Sequence, residues 1–118
     1  MRRALMAKVV KSGRYLSADV VGTRIKLRKE LFRAVLRETE DHTWQKPMRL
    51  PHVTLEYSPQ VLKRVNSIVE VRLGDLYFVE SVRARRPCHW AVFEADVPEL
   101  DFEGHMTAAW KPYVGEIQ

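Results

Sequence analysis

From His52 to Tyr57 the chain alternates polar and apolar residues, His-Val-Thr-Leu-Glu-Tyr. A period of two sends successive side chains to opposite faces of a strand. Such a segment buries one face and presents the other, so the chain must build a sheet with one covered side. Further segments point the same way. Leu5–Val10 and Tyr15–Val21 read as strands joined at the turn dipeptide Ser12-Gly13, and Ser67–Leu73 with Leu76–Val82 read as a hairpin around Gly74-Asp75. Cys88–Val97 and His105–Lys111 read as two more strands, the second reached through a loop containing Pro98 and Gly104. One stretch has helical period instead. After the start signal Gly22-Thr23, Leu31, Phe32, Val35 and Leu36 form a stripe, with Arg24, Arg28, Lys29, Arg33 and Arg37 over the remaining surface and the pattern fading near Glu40. Gln60–Val65 is expected to add a short helical turn. The class is α+β, a mostly antiparallel sheet with one or two helices.

Length and composition set the outer limits. One hundred and eighteen residues, 46% of them apolar, suffice for one domain over 1–118 with its own core. Apolar runs are only a few residues long, against the roughly 20 that a membrane-spanning helix needs, and Lys8 interrupts the only leader-like stretch. The single cysteine, Cys88, allows neither an internal disulfide nor a thiolate zinc site. These features suit a protein of a reducing compartment, expected to be cytoplasmic. Twenty Lys and Arg against fifteen Asp and Glu leave a net charge of +5, which favours anionic partners such as nucleotides or RNA.

An internal repeat carries the chemistry. His-Val-Thr-Leu-Glu-Tyr-Ser-Pro (52–59) and His-Met-Thr-Ala-Ala-Trp-Lys-Pro (105–112) share the pattern His-x-Thr-x-x-aromatic-x-Pro. In a strand, His and Thr at i and i+2 share a face. Val53, Leu55 and Tyr57, and likewise Met106, Ala108 and Trp110, then point to the core. If the two strands lie side by side near the centre of the sheet, two imidazoles and two hydroxyls face one groove. One neutral imidazole removes a proton from water while a protonated one delivers a proton to a departing sugar oxygen. The threonine hydroxyls donate to the oxygens on which charge develops. This is equipment for opening a strained cyclic phosphodiester, and it calls for no metal or other cofactor.

On the residues His52-Val53-Thr54 and His105-Met106-Thr107, the chain resembles the 2H phosphoesterase superfamily. In layout it is similar to the cyclic phosphodiesterase domain of fungal and plant tRNA ligases, with Arg14-Tyr15-Leu16-Ser17-Ala18-Asp19 in the place of that domain's opening strand. The resemblance covers roughly Arg14–Pro112, and Ala108 stands where the family carries a bulkier aliphatic. It implies a pseudo-twofold α+β fold with both motifs on central strands. It also implies a metal-independent hydrolase that opens a 2',3'-cyclic phosphate at an RNA end or on a nucleotide, leaving a 2'-phosphate. The catalytic set carried over is His52, Thr54, His105 and Thr107. The residues alone do not say which histidine is acid and which is base; the family's usual assignment makes His52 the acid and His105 the base.

Around the motifs, Arg49 and Lys111 are candidates for phosphate contact and Arg14 opens the first matching strand. Trp44 and Tyr113, in loops, are candidates for stacking a nucleobase. Arg83, Arg85 and Arg86 form a basic loop that suits either RNA backbone or solvent. His89 and Cys88 read as structural residues, and His42 as a helix-end charge. Two other functions use the same residues: degradation of cyclic oligonucleotide signals, and RNA binding without chemistry.

Overall fold

In the computed structural model, which describes residues 3–13, 15–55, 63–83 and 86–112, alternation does build a sheet with one covered face. The elements are β1 (Arg3–Ser12), β2 (Tyr15–Val20), α1 (Arg24–Thr39), β3 (His52–Leu55), β4 (Ile68–Arg83), β5 (Arg86–Val97), a 3-10 turn (Pro98–Leu100) and β6 (Phe102–Pro112). The six strands form one sheet in the order β3-β2-β1-β4-β5-β6, and every neighbouring pair is antiparallel. The class is α+β, with one α-helix among the described residues.

The order divides the chain into two three-strand meanders, β1-β2-β3 and β4-β5-β6, joined where β1 pairs with β4. In the first, α1 connects the second strand to the third; in the second, the 3-10 turn makes the equivalent connection. The covered face carries Ala7 and Val9, Leu16 and Ala18, Val53 and Leu55, Val69 and Val71, Phe93 and Ala95, and Met106. Leu27, Leu31 and Val35 of α1 pack into the same core, at the i, i+4 spacing that an amphipathic helix requires. The helix ends at Glu40, whose left-handed φ of 52° lets its N–H bond Leu36 O at 2.8 Å. No helix among the described residues is long and apolar enough to cross a membrane.

Three expectations about the strands need correction. First, β3 and β6 are not central neighbours but the two ends of the strand order. The sheet curls until these ends meet: β3 contacts β6, and a methyl placed on Gly104 would come within 3.1 Å of Val53 Cγ1. The same Cβ would sit 2.5 Å from Phe102 Cε1, so glycine at 104 leaves room for that ring as well as for Val53, and it lies inside β6 rather than in the loop before it. Second, Gly74-Asp75 makes no hairpin. β4 runs unbroken from Ile68 to Arg83, with a bulge between Leu73 and Leu76. A two-residue hairpin turn needs positive φ, and neither Gly74 nor Asp75 has it. Third, β6 has a bulge of its own. Ala91 pairs with Ala109 and Val92 with Thr107, so Ala108 is left over. Ala108 and Ala109 are both buried, which reverses the alternation beyond them and brings Trp110 to the face of Thr107. The 60–65 turn lies partly outside the described residues; residues 63–66 are a turn.

Candidate active site

The alternation in β3 holds as read: Val53 and Leu55 are fully buried, while His52 is half-buried and Thr54 exposed. In β6, Met106 is buried, His105 exposed and Thr107 half-buried. The strands run antiparallel across the seam. Gln45, in the loop before β3, exchanges backbone hydrogen bonds of 2.8 and 3.0 Å with Trp110, and Val53 lies against Gly104. This register sets His52 across from His105.

The four motif side chains do not line a single cavity. His52 and Thr107, one from each motif, share a cavity of about 230 Å³ with Pro47, Met48, Arg49, Trp90 and Trp110. Thr54 faces a second cavity with Tyr15, Ser17 and Arg49, so Arg49 reaches both. His105 opens onto a wider cavity of about 530 Å³, walled by Tyr77, Glu94, Asp96 and Glu103.

Each histidine has a carboxylate directly opposite on the neighbouring strand: Asp19 pairs with His52, and Glu94 with His105. The two carboxylates are held differently. Asp19 Oδ1 accepts the hydroxyl of buried Ser17 at 2.7 Å. Glu94 Oε2 accepts the Asp75 N–H at 3.2 Å. A Cβ on Gly74 would sit 2.4 Å from that same oxygen, so the β4 bulge and its glycine make room for the carboxylate.

The His52 ring is fixed by Nδ1, 2.8 Å from Leu50 O. A carbonyl only accepts, so Nδ1 carries the proton and Nε2 of the neutral ring keeps its lone pair. Burial pushes the His52 pKa below its ordinary 6.5, and Arg49 and His105 push the same way against the Leu50 carbonyl and Asp19. Near neutral pH, His52 is an unprotonated imidazole.

Of the remaining candidates, Arg49 lies beside the motif residues. Trp44 does not offer a stacking face: it is only 6% exposed and belongs to the core. Its Nε1 donates to Thr39 Oγ1 at 3.1 Å, which removes the cost of burying an indole N–H. Phe78 and the Lys111 ammonium, 4.5 Å from the ring centroid, cover the rest. The Lys111 ammonium is bonded to Asp41, and Lys111 does not line the cavity of His52 and Thr107. That contact and the Thr43 hydroxyl hold the Asp41 carboxyl far below the usual range. Arg14 and Tyr113 lie outside the described residues, as do Tyr57, Arg85 and the side chains of Arg83 and Arg86. Cys88 is buried and outside any disulfide. Among the described residues, no group of three or more His, Cys, Asp and Glu side chains is arranged to hold a metal ion.

Sequence reading placed Trp110 on the wrong face and passed over Trp90, Met48, Asp19 and Glu94. The one signal available for Trp110 was the doublet Ala108-Ala109, two small apolar residues in a row inside an alternating strand. No family model, curated protein or solved structure matches this chain.

Proposed function

We propose that the protein is a 2H-type cyclic phosphodiesterase, hydrolysing 2',3'-cyclic phosphates of nucleotides or RNA ends through His52 and His105 without a metal. The observation that carries this reading is the meeting of two His-x-Thr strands from the two ends of one sheet, with the imidazoles across the seam from each other. In hydrolysis, water's oxygen bonds to phosphorus while a base takes its proton; the bond from phosphorus to the 3'-oxygen breaks, and an acid protonates that oxygen. The product is a 2'-phosphate. Burial, which lowers the His52 pKa, favours His52 as the base; with Nδ1 committed to Leu50 O, Nε2 is its proton acceptor, and His105 takes the acid's role. This reverses the assignment that the resemblance implies. On this reading Thr107 and Arg49, which line the cavity with His52, bind the non-bridging oxygens.

The test uses purified protein in EDTA with 2',3'-cyclic nucleotides, an RNA ending in a cyclic phosphate and a panel of cyclic oligonucleotides. Products are identified by phosphorus NMR. Opening to a 2'-phosphate, lost in both His52→Ala and His105→Ala, is the expected result. Cleavage confined to the cyclic oligonucleotides moves the role to signal degradation. No turnover, with salt-sensitive RNA binding that survives both substitutions, overturns the enzyme reading.

A further inference from the structure

The β6 bulge has a consequence for substrate choice. Without the extra residue Ala108, strand alternation would turn Trp110 into the core. With it, Trp110 stands half-exposed on the face of Thr107, directly across the strand pair from Trp90. The two indoles are tilted by 36° with centroids 6.4 Å apart, so they form neighbouring panels of one apolar wall rather than a stack closed on itself. Both panels are held in place. Trp90 Nε1 donates to Ser81 Oγ at 2.6 Å, and the Trp110 backbone is bonded to Gln45 through both its N–H and its carbonyl. Pro47 and Met48 also line the cavity, Met48 being 93% exposed beside Arg49 in the chain.

We propose that this cavity is a nucleobase subsite, receiving the base of the nucleotide whose phosphate lies at His52 and Thr107. Its volume of about 230 Å³ is below the roughly 300–1,000 Å³ of sites for drug-sized ligands, and suits one planar ring system. Its lining matches such a ring: aromatic side chains for stacking, a flexible thioether, and the Arg49 guanidinium for the phosphate. The other side of the histidine pair suits a nucleotide poorly, since Glu94, Asp96 and Glu103 oppose a polyanion there. The position of the phosphate rests on the phosphodiesterase reading; the stacking wall does not.

The experiment measures binding of adenosine 2'-monophosphate, uridine 2'-monophosphate and base-free ribose 2-phosphate by calorimetry. It uses wild type, Trp110→Ala and Trp110→Phe, with hydrolysis of the corresponding 2',3'-cyclic substrates measured alongside. Base–aromatic stacking is worth about 1–3 kcal/mol per base, so Trp110→Ala is expected to weaken nucleotide binding roughly 5- to 150-fold and to raise KM more than it lowers kcat. Trp110→Phe retains most of the affinity, and ribose 2-phosphate binds wild type as weakly as the nucleotides bind Trp110→Ala. Equal affinity of wild type for nucleotide and base-free phosphate overturns the subsite, and that comparison needs no variant to fold. Nucleotide binding that depends on Trp110, without any turnover, sinks the hydrolase reading and leaves the subsite standing. Turnover indifferent to the base and to Trp110 does the reverse.

Discussion

The two halves of this molecule use the same strand plan and arrive at different surroundings for the same residue pair. β1-β2-β3 and β4-β5-β6 are both antiparallel meanders ending in a His-x-Thr strand, and each sets a carboxylate directly across from its histidine. In the first half a 16-residue helix connects the last two strands; in the second the connection is three residues of 3-10 turn. The 47–49 loop, which follows the helix in the chain, lines the cavity with His52, and this histidine is half-buried with its Nδ1 proton committed to Leu50. His105 is exposed, beside three carboxylates. The lesson is that one motif can be set in two different surroundings by the segments that lead into it. On the proposed reading, two copies of one motif take opposite roles because the segments leading into them differ.

The largest effects test whether both halves are needed. His52→Ala and His105→Ala are each expected to lower kcat/KM for a 2',3'-cyclic nucleotide by about 10²–10⁴-fold, the usual contribution of a positioned general acid or base, with far-UV circular dichroism unchanged. A loss below tenfold in either variant breaks the pairing.

Trp44→Ala separates architecture from chemistry. The indole is core, so urea denaturation should show a loss of about 3–5 kcal/mol, while nucleotide affinity of the folded fraction stays at the wild-type level. A stable variant that binds nucleotide poorly would return Trp44 to the role of stacking residue.

The threonines sharpen the contrast, because of the two only Thr107 shares a cavity with His52, the base of the proposed reaction. Thr107→Val should reduce kcat on the order of 10²-fold, in line with loss of one transition-state donor, and Thr54→Val by roughly tenfold or less. The reverse order would mean that phosphate lies on the Thr54 side, with Tyr15 and Ser17. Gly74→Ala then probes the second half alone. The added methyl meets Glu94 Oε2, the far end of an exposed side chain, so the carboxylate swings aside and stability should change by only about 0.5 kcal/mol, while activity should fall through the displaced Glu94 and the His52 side stays untouched.

Much of the architecture was readable because alternation is a physical requirement of half-buried strands. β2, α1 and the two motif faces appear in the sequence within a residue or two of their bounds, and the resemblance pointed to His52, Thr54, His105 and Thr107 as a set. What escaped reading was non-local. The curl that brings β3 to β6 sets Gly104 against Val53, two residues far apart in the chain. The bulges at 74–75 and 108 insert residues without leaving a turn, and the second re-aims Trp110 by reversing parity. Trp44 looked like an exposed loop aromatic because its partners, Thr39, Phe78 and Lys111, come from three elements.

The most direct test of the account is the acid limb of the pH–rate profile. His52 acts as the base only when unprotonated, and burial and Arg49 lower its pKa while Asp19 raises it. Log kcat/KM against pH for a 2',3'-cyclic nucleotide should therefore rise through a pKa below 6.5 in wild type. Arg49→Gln should move that limb to higher pH, and Asp19→Asn should move it lower. A limb that stays in place in both variants, or moves the opposite way, would contradict the assignment of His52 as the base.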